Sequence, residues 1–268
     1  MGPGGEVIHE NWMMDNFNAD PNVTPPTKMV GTAENVAKIE GFTKEQSDAV
    51  VLRRYEQYLM STANDREFQK KYMFPAEVKV SRKKTILVEL DEGVTPTTAE
   101  GLAKLPPAEK GGIHSFGAQT FPADGNVGFI VTNRERAKEL SANKDVEIQI
   151  ISYGYSRVNP GFMASAPVPA AQMALANADL KITDMKAIKS HNPFTTNDLN
   201  FAKKFNIDVM KMNNYGSSLV YGHPQAPTAG RIIAEMLEEM VLIGGGYCLW
   251  AGCAAGDTGA SMIFKVTC

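Results

Sequence analysis

Apolar positions change their period several times along the chain, and each change marks an element. From residue 31 to 66 the pattern is helical, with Val50, Val51, Arg54, Tyr55 and Tyr58 recurring at three- and four-residue steps. Thr43 followed by Gln46 resembles a capping box, in which hydroxyl and amide each satisfy a backbone N–H. Strand-like pieces at 76–80 and 85–90 flank the basic cluster Ser81-Arg82-Lys83-Lys84, and a short helix at 98–105 stops at Pro106-Pro107. From residue 125 the rhythm alternates. VGFIVTN reads as a buried strand, RERAKEL as a helix and VEIQIISYGYSRV as an alternating strand. A helix at 166–180 precedes the strand MKAIKSH, which runs into a turn at His191. LNFAKKFN is helical, RIIAEMLEEMVLI is a strongly amphipathic helix, and GGGYCLWAGCAAGDTGASMIFKV makes two strands joined by small residues. Strands alternating with helices predict an α/β fold with a mixed sheet. Residues 1–28, rich in Asn, Pro and Met, read as a connecting segment.

Composition narrows the function classes. The 268 residues are 43% hydrophobic and carry a net charge of −3, which suits a globular core and argues against nucleic acid as the main partner. No apolar run approaches the ~18 residues of a membrane span, and no basic flank leads into an apolar segment at the N-terminus. Cys248, Cys253 and Cys268 are odd in number and clustered, which predicts free thiols in a reducing, cytoplasmic setting rather than a disulfide framework. Without CxxC or HExxH, no metal site is expected.

Three short stretches concentrate reactive side chains where strands or loops run out: Ser190-His191-Asn192-Pro193-Phe194, Tyr221-Gly222-His223-Pro224 and Ala251-Gly252-Cys253-Ala254-Ala255-Gly256. A thiol and two imidazoles beside small residues suit a site that a bulky substrate approaches closely. The alternative is plain packing, since free Cys is among the most buried residue types and a lone loop His is usually structural.

From about residue 29 to 266 the sequence resembles the C-terminal portion of a thiolase, an acyl-CoA acetyltransferase. MVGTAENVA matches the start of that family's loop domain, and GLAKLPPAEKGGIHSFGAQTFPADGN its exit. NNYGSSLVYGHPQAPTAGRII corresponds to the Gly-His-Pro block and GCAAGDTGASMI to the terminal Cys-x-Gly block. The resemblance implies a loop domain plus the C-terminal half of a layered αβαβα fold with mixed five-stranded sheets. The divisions would be a connecting segment at 1–28, the loop domain at 29–122, the end of the N-terminal half at 123–144 and the C-terminal domain at 145–268. It further implies that His223 is the base activating a nucleophilic cysteine and Cys253 the second cysteine, exchanging a proton with the reacting carbon. His191 stands where the family places an oxyanion-hole Asn. Coenzyme A would be a substrate, with no permanently bound cofactor. Arg82 would lie near its nucleotide end, Thr120 at its pantetheine, and Met163 and Phe194 along the pantetheine tunnel.

The match departs from the family at one decisive point: no cysteine precedes Cys248. The family's acylated cysteine lies in the first half, so the resemblance implies a fragment, one subunit of a split enzyme or a degenerate relative. The expected activity is thiolytic cleavage of a 3-oxoacyl-CoA, or the reverse Claisen condensation, only with a separate N-terminal-half chain or homologous subunit. The alternative is a non-catalytic scaffold that binds CoA or acyl-CoA. Ala255 replaces the glycine of Cys-x-Gly, and Asn192-Pro193 replaces Glu-Ala. Faces carrying Ile148, Ile150 and Val220 would be exposed unless another half covers them.

Overall fold

The computed structural model describes residues 29–268. The predicted helical stretch is two helices, because α1 (Met29–Glu40) ends at Gly41, whose φ of 73° is left-handed backbone that favours glycine. Thr43 then opens α2 (Lys44–Arg66) with the reciprocal box read from the sequence. Its Oγ1 accepts the Gln46 N–H at 3.3 Å, and Gln46 Oε1 accepts the Thr43 N–H at 3.0 Å. Strands β1 (Ala76–Ser81) and β2 (Lys84–Val88) pair antiparallel around the basic turn, and α3 (Ala99–Lys104) is capped by the Thr98 hydroxyl.

The segment 127–133 departs from expectation. It forms no strand, and Phe129, Ile130 and Val131 are exposed. Strand propensity alone does not make a strand; the backbone needs a neighbouring ladder, and among the described residues none lies beside this segment. The following helix α4 (Arg134–Leu140) forms as predicted, with no buried residue.

The remaining elements are β3 (Glu147–Arg157), α5 (Pro167–Ala178), β4 (Met185–Ser190), α6 (Thr195–Phe205), α7 (Ser218–Tyr221), α8 (Pro227–Leu242), β5 (Gly246–Ala254) and β6 (Thr258–Thr267). The sheet runs β3-β6-β5-β4; β4 and β5 are parallel and the other neighbours antiparallel. It is mixed, as expected, but has four strands among the described residues rather than five.

Alternation along β5 builds a core on each face of this sheet. Leu249 and Ala251 join Ala171, Ala174 and Phe201 of α5 and α6. Cys248 and Trp250 join Ile232, Met236 and Met240 of α8. Each large side chain buried this way contributes roughly 1.5–3 kcal/mol. Helix α5 lies hard against β3: a Cβ on Gly154 would stand 2.1 Å from the Ala170 carbonyl oxygen. On the other side of β3, Ile148, Ile150, Tyr153 and Tyr155 are exposed, whereas Val220, expected to share that exposure, is buried against α8.

Candidate active site

The reactive residues meet because two parallel strands end together. His191 follows β4, and its N–H donates to the Ala251 carbonyl of β5 at 2.9 Å. Gly252 allows the approach, since a Cβ there would lie 2.7 Å from the Trp250 ring and 3.2 Å from His191 Cβ. Cys253 is the next residue of β5, so thiol and imidazole leave the carboxyl edge of neighbouring strands, where open α/β sheets place ligands.

His223 arrives from the turn after α7. Gly222 has φ 93°, and a Cβ there would collide with Ala123 Cβ and the Phe121 ring at 2.8 Å each, so this turn requires glycine. A strap at residues 119–122 ties both histidine loops. Gln119 bridges to Phe194, the Thr120 N–H donates to the Pro193 carbonyl at 2.8 Å, and the His223 N–H donates to the Phe121 carbonyl at 2.8 Å. The result is a pair of imidazoles with ring centroids 4.3 Å apart.

Both rings are held at Nδ1 by hydroxyls: His191 by Ser218 at 2.8 Å and His223 by Thr228 at 2.6 Å. Burial pushes His223 below the usual imidazole range, and burial together with the neighbouring His223 pushes His191 well below it. Neutral rings follow near pH 7, the state in which an imidazole accepts a proton. The half-buried Cys253 thiol is pushed up to about 12 by burial, so it rests protonated. Its sulfur accepts a hydrogen bond from Asn197 Nδ2 at 3.3 Å.

Beneath the histidines lies a fully buried ion pair. Arg54 of α2 donates Nε to Asp198 at 2.9 Å and its remaining N–H groups to the Val209 and Met212 carbonyls and to Gln57. Asp198 also accepts from Ser190, from Asn192 Nδ2 at 2.7 Å and from Asn213 Nδ2 at 3.2 Å. The carboxylate thus fixes the residues on either side of His191. A second buried chain joins Glu34 to His114 Nδ1 at 2.8 Å and His114 Nε2 to Thr196 at 2.9 Å. Its arrangement imitates a catalytic triad, but His114 and Thr196 are wholly buried, so it ties α1 to α6 rather than facing a substrate.

Of the residues singled out from sequence, His191, His223 and Thr120 come together, with Cys253 at the same sheet edge. Thr120 spends its hydroxyl on the Ser218 carbonyl and is a tie between loops. Met163 and Phe194 are buried, packed with Ala33 and Val36 against Cys253. Arg82 stays exposed on the β1–β2 turn, with no ion-pair partner among the described residues. Sequence reasoning missed Asn197, Asp198, Ser218 and Thr228. One signal was available: Thr195-Thr196-Asn197-Asp198 is a run of polar residues opening a helix, and all four are buried. Among the described residues no group of His, Cys, Asp and Glu is arranged to hold a metal ion.

Two uncharged imidazoles and a protonated thiol at one edge of a mixed sheet define an α/β protein equipped for acid–base chemistry. The sequence models of the thiolase N-terminal and C-terminal domains match residues 7–135 and 144–266. Mitochondrial 3-ketoacyl-CoA thiolase of Homo sapiens is 31% identical over 250 residues, 92% of this chain and 61% of the relative. Acetyl-CoA acetyltransferase of Syntrophomonas wolfei is 32% identical, over 98% of this chain and 65% of the relative. The crystal structure of human mitochondrial 3-ketoacyl-CoA thiolase in complex with CoA superposes with a TM-score of 0.79 at 26% identity, covering 100% of this chain and 65% of that one. The chain belongs to the thiolase family, and it spans a little under two thirds of the length of these relatives. Because the N-terminal-domain model matches residues 7–135, the chain carries sequence of both domains, where the resemblance implied a C-terminal portion without the nucleophile-bearing N-terminal half.

Proposed function

We propose that this chain takes part in thiolase-type acyl transfer: CoA-dependent cleavage of a 3-oxoacyl-CoA, or the reverse Claisen condensation. The observation that carries the reading is the pairing of the His191 and His223 rings at 4.3 Å, above the strand end that bears Cys253. His223, neutral and anchored by Thr228, takes the proton of a nucleophilic cysteine, and the resulting thiolate captures the acyl group. No cysteine precedes Cys248 in these 268 residues, so in this reading the nucleophile is supplied by a thiolase N-terminal half outside them. His191 and His223 flank the position where negative charge develops on the thioester oxygen; removing one such donor typically costs about 100- to 1,000-fold in rate. Cys253, protonated at rest, gives its proton to the carbon released when the C–C bond breaks and recovers it in the reverse direction.

Coenzyme A fits this reading as substrate. Arg82, with Lys83 and Lys84 on the exposed hairpin turn, offers a planar donor fork for its phosphates. Thr120 stands at the pantetheine, and Met163 and Phe194 form the wall behind Cys253. The division into a loop domain at 29–122, a short piece at 123–144 and a C-terminal domain at 145–268 belongs to the same proposal. The bare side of β3 and the exposed apolar stretch at 129–131 support a covering partner, either the N-terminal half or a homologous subunit. Three free cysteines, Cys268 exposed, favour a reducing compartment such as the cytoplasm.

The test is reconstitution with a chain carrying a thiolase N-terminal half. The purified 268-residue chain should show no thiolysis, while the complex should form an acyl-enzyme visible by mass spectrometry. His223→Ala should abolish that adduct, and unchanged labelling would remove the residue from the role of base. CoA binding by calorimetry with no turnover in any pairing would replace the catalytic reading with that of a CoA-binding scaffold.

A further inference from the structure

Cys253 is not left to its surroundings; one side chain is aimed at its sulfur. Asn197 lies in the first turn of α6, is almost fully buried, and has both ends of its amide committed. Its Oδ1 accepts the Phe194 N–H at 3.3 Å, which fixes the amide plane, and its Nδ2 donates to Cys253 Sγ at 3.3 Å. An amide pinned at its oxygen has one remaining use, and here that use is the thiol.

We propose that Asn197 is a positioning residue for Cys253, holding the sulfur as a hydrogen-bond acceptor so that its proton points away from α6 and the thiolate left after proton transfer is stabilised. This rests on the reading of Cys253 as the proton-exchanging thiol. When Sγ gives its proton to the substrate carbon, negative charge appears on sulfur in a largely apolar corner lined by Met163, Phe194 and Ala33. A donor already in place lowers the cost of that charge without any rearrangement.

The other titratable groups on the surrounding elements are engaged elsewhere or act in the opposite sense. Asp257, in the β5–β6 turn, raises the thiol pKa, and its carboxylate accepts the Phe162 N–H. Glu34 of α1 holds His114, His114 Nε2 meets Thr196, and His191 Nδ1 meets Ser218. Among the described residues, Asn197 is the side chain that donates a hydrogen bond to Cys253.

The test reads the thiol directly and needs no turnover. In a Cys268→Ser background, the second-order rate of Cys253 alkylation by iodoacetamide is followed from pH 7 to 9.5 by mass spectrometry, with the buried Cys248 as internal reference. Below the thiol pKa the rate tracks the thiolate fraction, so losing a hydrogen bond to the charged form should slow alkylation roughly 10-fold at every pH. Asn197→Leu removes the donor without adding charge. Asn197→Ala makes the same neutral deletion with a smaller side chain of high helix propensity, as a second variant if the Leu variant does not fold. Slower alkylation in the folded variants supports the proposal. An equal or faster rate, as expected if Asn197 only closes the pocket, overturns it. The outcome is independent of acyl-enzyme formation, so failure here and failure of the thiolase reading are separable.

Discussion

Thr228 is the residue that decides which nitrogen of His223 faces a substrate. Its hydroxyl occupies Nδ1 at 2.6 Å, leaving Nε2 for chemistry. Thr228→Val keeps the volume and removes the hydroxyl. The expected result is a loss of about 1 kcal/mol in stability, read from the urea midpoint, because Nδ1 loses its partner. In the reconstituted enzyme the acylation rate should fall as well, by less than the roughly 100- to 10,000-fold expected when the base itself is removed as His223→Ala. Equal effects of the two substitutions would mean that Thr228 acts on the base in some way other than orientation.

At the scale of elements, the helix α6 carries most of the site's support. Its first turn presents Thr195 to Ser47 at 2.6 Å, Thr196 to His114, Asn197 to Cys253 and Asp198 to Arg54. Asp198→Ala would leave Arg54 buried without its counter-charge and release Ser190, Asn192 and Asn213 together. A loss of about 3–5 kcal/mol follows, measurable by chemical denaturation. The conservative Asp198→Asn should cost less, since it keeps an oxygen for Arg54 and loses only the charge. This helix also shows what was legible in the sequence. Periodicity located α2, the α5 region and α8, and the Thr43–Gln46 box was correct to the atom, because such signals are local. The polar run at 195–198 was visible, but what Asn197 and Asp198 bind was not, because their partners Cys253 and Arg54 lie more than 50 residues away. The failure at 127–133 has the same origin: its apolar residues describe a strand, but a strand exists only with a neighbour to pair with.

For the molecule as a whole, acid should act first on the buried carboxylates that tie distant parts of the chain together, Glu34 to His114 and Asp91 to Arg231. Burial alone would raise Glu34, but hydrogen bonds from the His114 ring and backbone outweigh it and hold the carboxyl below its ordinary range. Burial also opposes Asp91, which is held low by Arg231 of α8, by Tyr58 and by Gln69. A carboxyl depressed in the folded state binds fewer protons there than in the unfolded chain. Its stabilisation is therefore complete above the ordinary carboxylate range and disappears as pH falls through that range toward the depressed value. Glu34→Gln removes that share. The difference in urea midpoint between wild type and this variant should be widest near pH 7 and narrow toward pH 3; a constant difference would place the effect in packing instead.

The strap at residues 119–122 has a kinetic consequence. Thr120 joins Ser218 across 98 residues of chain, and the same few residues hold both histidine loops. Contacts so distant in sequence are slow to close, since the loop entropy is spent before any bond is made. The sheet meets the same cost, since every β3–β6 pair, from Arg157 with Thr258 to Glu147 with Thr267, spans more chain than that, and the histidine loops are tied only when the strap docks as well. Refolding should thus be limited by these long closures together, so that a probe of secondary structure and a probe of the histidine pair report the same rate.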